Sequence, residues 1–118
     1  MVDFEKQLLG DVLIEKVNLL RASHMEASIM KSRLFEDIQL NNKKIIIDIS
    51  KCDFIDSSFL GALVVSLKRT RETGGDIKIV TASFTGGIIN LVGYQRLFEN
   101  YLTVEDALNS FRENSKRP

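Results

Sequence analysis

Cysteine, histidine and proline each occur once in this chain, tryptophan not at all, and neither sign of charge prevails. The single thiol, Cys52, has no internal disulfide partner, which fits a reducing cytosol better than a secreted, cross-linked scaffold. One cysteine and one histidine cannot close a structural zinc site within the chain. His24 would have to serve any Ser-His-Asp or Cys-His arrangement alone, and no motif accompanies it; it reads as a polar residue in the first turn of a helix. Sixteen basic residues balance sixteen acidic ones, so no global field calls for nucleic acid or an anionic membrane as partner. No apolar run approaches the roughly eighteen residues that a membrane span needs. The opening stretch MVDFEKQLLGDVLIEK has charges inside its first apolar run and lacks a basic n-region followed by an apolar h-region, unlike a signal peptide. The expectation is a cytoplasmic protein without membrane insertion.

What is present suits one domain. A chain of 118 residues buries roughly two-thirds of its unfolded surface, enough for an independent core. We expect one domain over residues 1–118, with about 115–118 frayed. Residues 3–9 predict an edge strand, and residues 12–18, after the Gly10-Asp11 turn signal, a second strand. From Ser23 to Leu40, Ala27, Met30, Leu34 and Ile38 form a helical stripe, with Ser23 and Glu26 at capping-box spacing and Asn41-Asn42 as the stop. KKIIIDIS, residues 43–50, is the clearest strand, and its consecutive isoleucines predict burial on both faces of a parallel sheet. A loop from Lys51 to Asp56 leads to a helix over residues 57–73 with Leu60, Leu63, Val64 and Leu67 as its core stripe. Lys68, Arg69 and Arg71 suit its last turn, and Gly74-Gly75 its end. Residues 76–83 read as a strand, 86–93 as a short helix, 97–102 as a short strand and 103–114 as the last helix. The order argues an α/β domain: a mixed, mostly parallel sheet, right-handed β-α crossovers and about four helices.

Catalytic and ligand motifs are scarce. Gly86-Gly87 follows a strand but belongs to neither G-x-G-x-x-G nor G-x-x-x-x-G-K-[ST], so it reads as a turn. Asp48, Asp53 and Asp56 gather near the end of the central strand. No ligand spacing accompanies them, and loop chemistry and helix capping account for aspartate there. A small enzyme using Asp48, Asp53 and Ser57 in phosphoryl chemistry would lack a histidine and a phosphate loop. No catalytic residue, cofactor or metal is expected.

The stretch that stands out is Ile55-Asp56-Ser57-Ser58-Phe59-Leu60-Gly61, where a buried strand gives way to an amphipathic helix. In open α/β sheets, partners meet the protein at the carboxyl ends of strands, where this junction falls. Capping by Asp56 explains the aspartate alone. The whole segment resembles the signature of STAS domains, in particular bacterial anti-sigma factor antagonists: hydrophobic strand, short loop, then D-S-[ST]-G-L-G opening a helix. The likeness continues through Glu72 to Ile79 (E-x-G-G-x-[ILV]-x-[ILV]), Leu97-Phe98, and the S/T-x-E-x-A-L start of the last helix at Thr103 to Leu108. It covers about the C-terminal two-thirds well. Two positions depart from it. Phe59 replaces the first glycine, and Leu19, Leu20, Arg21 and Ala22 stand where the family tends to have G-x-[LI]-D.

The resemblance implies a non-enzymatic partner switch regulating transcription. Unmodified, the protein would bind an anti-sigma factor that is also a GHKL-type serine kinase, freeing a sigma factor. Phosphorylation of Ser57 would end the interaction and a serine phosphatase would restore it. ATP would belong to the partner, and the protein itself would not contact nucleic acid. Asp56, Ser57, Ser58 and Phe59 are the expected partner-binding residues, with the Phe59 ring at least partly exposed beside Ser57 as an anchor. The alternative is a STAS subunit that docks on a membrane transporter or signalling assembly and never switches.

Overall fold

The computed structural model describes residues 2–82 and 97–115, the side chains of the last two excepted. Strands β1 (Phe4–Leu9) and β2 (Val12–Val17) form an antiparallel hairpin, in which Gly10 takes a φ of 62° that a side chain would disfavour. A two-residue strand, β3 (Arg21–Ala22), leads to helix α1 (His24–Gln39). Then come β4 (Lys44–Asp48), a second two-residue strand β5 (Phe54–Ile55), and helix α2 (Ser57–Glu72). β6 (Asp76–Val80), β7 (Glu99–Tyr101) and α3 (Val104–Ser115) complete the described elements.

The main sheet has five strands in the order β1-β2-β4-β6-β7, antiparallel only between β1 and β2 and parallel elsewhere. It is the mixed, mostly parallel sheet that the order of elements implied. β4 lies at its centre. Ile45 and Ile47 point into the core shared with α1 and α2, whereas Ile46 points to the opposite face and packs with Ala107, Leu108 and Phe111 of α3. The isoleucine run is therefore apolar because the strand is covered on both sides. Three helices are present among the described residues. The short helix expected over 86–93 lies outside them, as does most of the tail expected to fray.

Local signals set the ends of the helices. Asn41 adopts a φ of 70° just beyond α1, a left-handed conformation that asparagine tolerates better than most residues. Beyond α2, Gly74 has a φ of 88°, and a Cβ on Gly75 would collide with the backbone of Lys43. The second glycine is thus a packing requirement. It lets the chain turn back against the start of β4, where Asp76 N–H donates to Lys43 O at 2.8 Å. Thr103 Oγ1 accepts from Asp106 N–H at 3.1 Å, capping α3.

Candidate functional site

β4 ends at Asp48, and the chain then turns sharply. Asp48 Oδ1 accepts both the N–H and the hydroxyl of Ser50, at 3.0 and 2.7 Å, and Cys52 N–H donates to Ile49 O. This aspartate is occupied with its own turn, as loop chemistry predicts. Among the described residues no group of three or more His, Cys, Asp or Glu could hold a metal ion.

The next residues are fixed by the segment before α1. β3 and β5 pair in parallel, Arg21 with Phe54 and Ala22 with Ile55. Asp53 N–H donates to Leu20 O at 2.8 Å and Asp56 N–H to Ala22 O at 3.0 Å, so residues 20–22 form a rail along which the loop is laid. Two-residue strands carry no periodicity, and nothing in the sequence pattern marks this pairing.

At the end of the rail Asp56 adopts an extended conformation and caps α2, its Oδ1 accepting the Phe59 N–H at 2.9 Å. Ser57 and Ser58 follow as the first two helical residues, and both are exposed. The first turn of α2 contains no acidic residue. Its remaining N–H groups and the positive end of the helix dipole therefore face outward beside two hydroxyls.

Phe59 corrects an expectation. The ring is fully buried, packed in the main core with Ile49, Cys52, Ile55 and Leu63. It is not the exposed anchor that its place beside Ser57 suggested. The reason is the width of the buried face of α2, which packs against both the sheet and α1. Phe59, Ala62, Ser66 and Thr70 are buried along with Leu60, Leu63 and Leu67, while Val64 is displaced to the margin. The stripe of Leu60, Leu63, Val64 and Leu67 placed the centre of that face too far from Phe59. The two polar members satisfy themselves within the helix, Ser66 Oγ donating to Ala62 O and Thr70 Oγ1 to Ser66 O.

The surface aromatic at this junction is instead Phe54, with the Arg21 guanidinium stacked 4.3 Å from its ring centre. Phe54 and Leu20, joined by the bond from Phe54 N–H to Leu20 O, are both exposed, an apolar patch on the segment before the serines that sequence reasoning missed. Asp53 is exposed as well. Cys52 is buried, and burial, reinforced by the charges of Asp48 and Asp53, pushes its thiol up to about 11. It is therefore a protonated, inert packing group at neutral pH.

Comparison with known proteins places this geometry. The family model described as the STAS domain matches residues 12–107. A candidate anti-sigma factor antagonist of Thermotoga maritima superimposes with a TM-score of 0.84 at 25% identity, covering 92% of this chain and 94% of the other. The Bacillus cell fate determinant SpoIIAA in its phosphorylated form aligns with a TM-score of 0.70 at 14% identity, covering 92% of this chain and 98% of that one. The fold also recurs within the murine anion transporter Slc26a9, with a TM-score of 0.75 at 16% identity, over 91% of this chain and 18% of the transporter. A search of curated protein sequences found no match. With the family match running from β2 through the capped junction to the first turn of α3, the chain belongs to the STAS domain family.

Proposed function

We propose that the protein is an anti-sigma factor antagonist that acts by binding and catalyses no reaction. Unphosphorylated, it binds an anti-sigma factor of the GHKL serine-kinase type; phosphorylation of Ser57 releases that partner, and a serine phosphatase resets the switch. The observation that carries this reading is the exposed Ser57 directly after the Asp56 cap, in a first helical turn without an acid.

That geometry suits a reversible charge switch. A phosphoryl group adds about −1.5 to −2 charge at pH 7. At the start of α2 the dipole and the outward N–H groups favour that charge, so the fold survives the modification. A partner adapted to the neutral hydroxyl and to the apolar patch of Leu20 and Phe54 meets repulsion and added bulk instead. Asp53 already makes the neighbourhood acidic, which increases the contrast. The effect falls on binding while stability changes little.

Reaction with the cognate kinase and ATP, followed by phosphopeptide mapping, tests the assignment. Phosphate on Ser57 is expected, with Ser57→Ala unmodified yet still binding and Ser57→Asp folded but binding far more weakly. Ser58→Ala should still be phosphorylated. Phosphate on Ser58 alone would move the site by one residue. Absence of phosphate on both serines with the partner kinase present would replace the switch with a docking subunit that is never modified.

A further inference from the structure

Far from the serines, β2 carries a carboxyl group where its neighbours are apolar. Glu15 is as inaccessible as the residues around it and, two positions from Val17, faces the core side of the sheet. Its cross-strand neighbours are Lys6 of β1 and Ile47 of β4. From α1, Arg33 and the buried Asp37 reach the same place. Arg33 donates from Nε and Nη2 to Glu15 Oε1, at 3.1 and 2.9 Å. Lys6 Nζ donates to Asp37 Oδ1 at 2.6 Å and stands 3.7 Å from Glu15 Oε2. Glu36 of α1 adds a carboxylate whose charge reaches Lys6. Two atoms are left over: Glu15 Oε2 and Asp37 Oδ2 are both buried, and neither accepts a hydrogen bond from any described donor.

Unmet buried acceptors are costly, and two carboxylates close together in a dry site resist ionising together. A single proton removes both difficulties. We infer that Glu15 and Asp37 share one proton, carried on Glu15 Oε2 and donated to Asp37 Oδ2, which makes the pair a proton-dependent clasp between β2 and α1. The electrostatics agree. Burial pushes the Glu15 carboxyl up to about 8, a hydrogen bond with Asp37 and the charge of Asp37 add to the effect, and Arg33 opposes it. Lys6 Nζ, 2.6 Å from Asp37 Oδ1 and 3.7 Å from Glu15 Oε2, holds the two carboxyl groups side by side. For Lys6, burial pulls the ammonium down, but its pairing with Asp37 and the charges of Glu15 and Glu36 outweigh that pull, so it remains a cation. With Glu15 neutral, the two cations Lys6 and Arg33 balance Asp37 and Glu36. Both cations also reach solvent, their side chains being 34% and 27% exposed.

The sign of the pH dependence follows. The folded chain keeps a proton that an ordinary glutamate loses near 4.5, and gives it up only near 8. The clasp's contribution is full below the lower value and is lost as pH rises through the higher one. Glu15→Gln should preserve the arrangement without titrating, its amide donating to Asp37 and its carbonyl accepting from Arg33. Unfolding equilibrium constants of the two full chains, measured by denaturant titration from about pH 5 to 9, provide the test. The constant for the unsubstituted chain relative to the variant should rise about tenfold per pH unit between about 5 and 8, then level off. Carboxyl carbon NMR should show Glu15 titrating near 8, and Asp37→Asn should move that midpoint down by removing the neighbouring charge. A Glu15 midpoint below about 5, in the ordinary glutamate range, overturns the inference; so does a flat ratio. If Glu15→Gln fails to fold, the NMR titration of the unsubstituted chain decides alone.

Discussion

α1 and α2 begin in parallel settings and use them differently. Each follows a two-residue strand, and the pairing of Arg21 with Phe54 and Ala22 with Ile55 puts the two caps, Ser23 and Asp56, at matching positions. Three residues on, the settings diverge. α1 has Glu26, whose carboxylate accepts the Ser23 N–H and hydroxyl, both at 3.2 Å, and so fills the start of the helix with negative charge. α2 has Phe59, whose ring is in the core, so the Asp56 carboxylate caps the helix without a second acid in the first turn. One helix start is electrostatically complete. The other is held rigid from beneath and left open to an anion from outside.

The largest expected effect breaks that rigidity. Phe59→Ala removes a fully buried ring from the main core and should cost about 3–5 kcal/mol. Chemical denaturation would show it, and a loss below about 1 kcal/mol would mean that the ring does not anchor the start of α2. Next comes Asp56→Ala, which removes the cap and should cost about 1 kcal/mol. The substitution should also slow modification of Ser57 by the cognate kinase, because the hydroxyl is no longer held in one place. Equal phosphorylation rates in a folded variant would separate the cap from the site. Glu26→Ala at the other start should cost less, about 0.5 kcal/mol, and leave phosphorylation untouched. A comparable drop in partner affinity from Glu26→Ala would extend the binding surface to α1.

Sequence reading succeeded where one residue type carried one physical demand. Ile45-Ile46-Ile47 announced a strand covered on both faces, Gly74-Gly75 a helix end, and Asp56-Ser57-Ser58 a capped junction. It failed where the demand came from an element distant in sequence. Nothing local in Leu20-Arg21-Ala22 shows that it will carry the loop before α2. Phe59 was misplaced because the width of a buried helix face depends on how many layers touch it. Within the strand over residues 12–18 nothing singles out Glu15, since Asp37 meets it only once α1 lies across the sheet. The expected exposure of Phe59 failed; the aromatic that β3 and β5 bring to the surface is Phe54, which the sequence reading did not single out.

The smallest expected effect is the most informative about the open helix start. Ser57→Asp places a carboxylate in the first turn of α2, where Asp56 is engaged with the Phe59 N–H and no other acid competes. Attraction to the helix N-terminus favours it by about 0.3–1 kcal/mol at low salt, and repulsion from Asp53 and Asp56 subtracts from that. The net change in stability should lie within about 0.5 kcal/mol of zero. The favourable part should shrink as added salt shortens the screening length from about 10 Å at 0.1 M to about 3 Å at 1 M. At α1, His24→Asp occupies the corresponding position, but the Glu26 carboxylate that reaches back to Ser23 already fills that helix start, so it should be less favourable than Ser57→Asp by a few tenths of a kcal/mol. Paired denaturation curves at low and high salt measure the difference. If both substitutions respond alike, the vacancy at α2 has no electrostatic meaning, and release of a partner would have to rest on the bulk of the phosphate. If Ser57→Asp alone gains at low salt, the start of α2 accepts negative charge without strain, and repulsion is left to act on the partner.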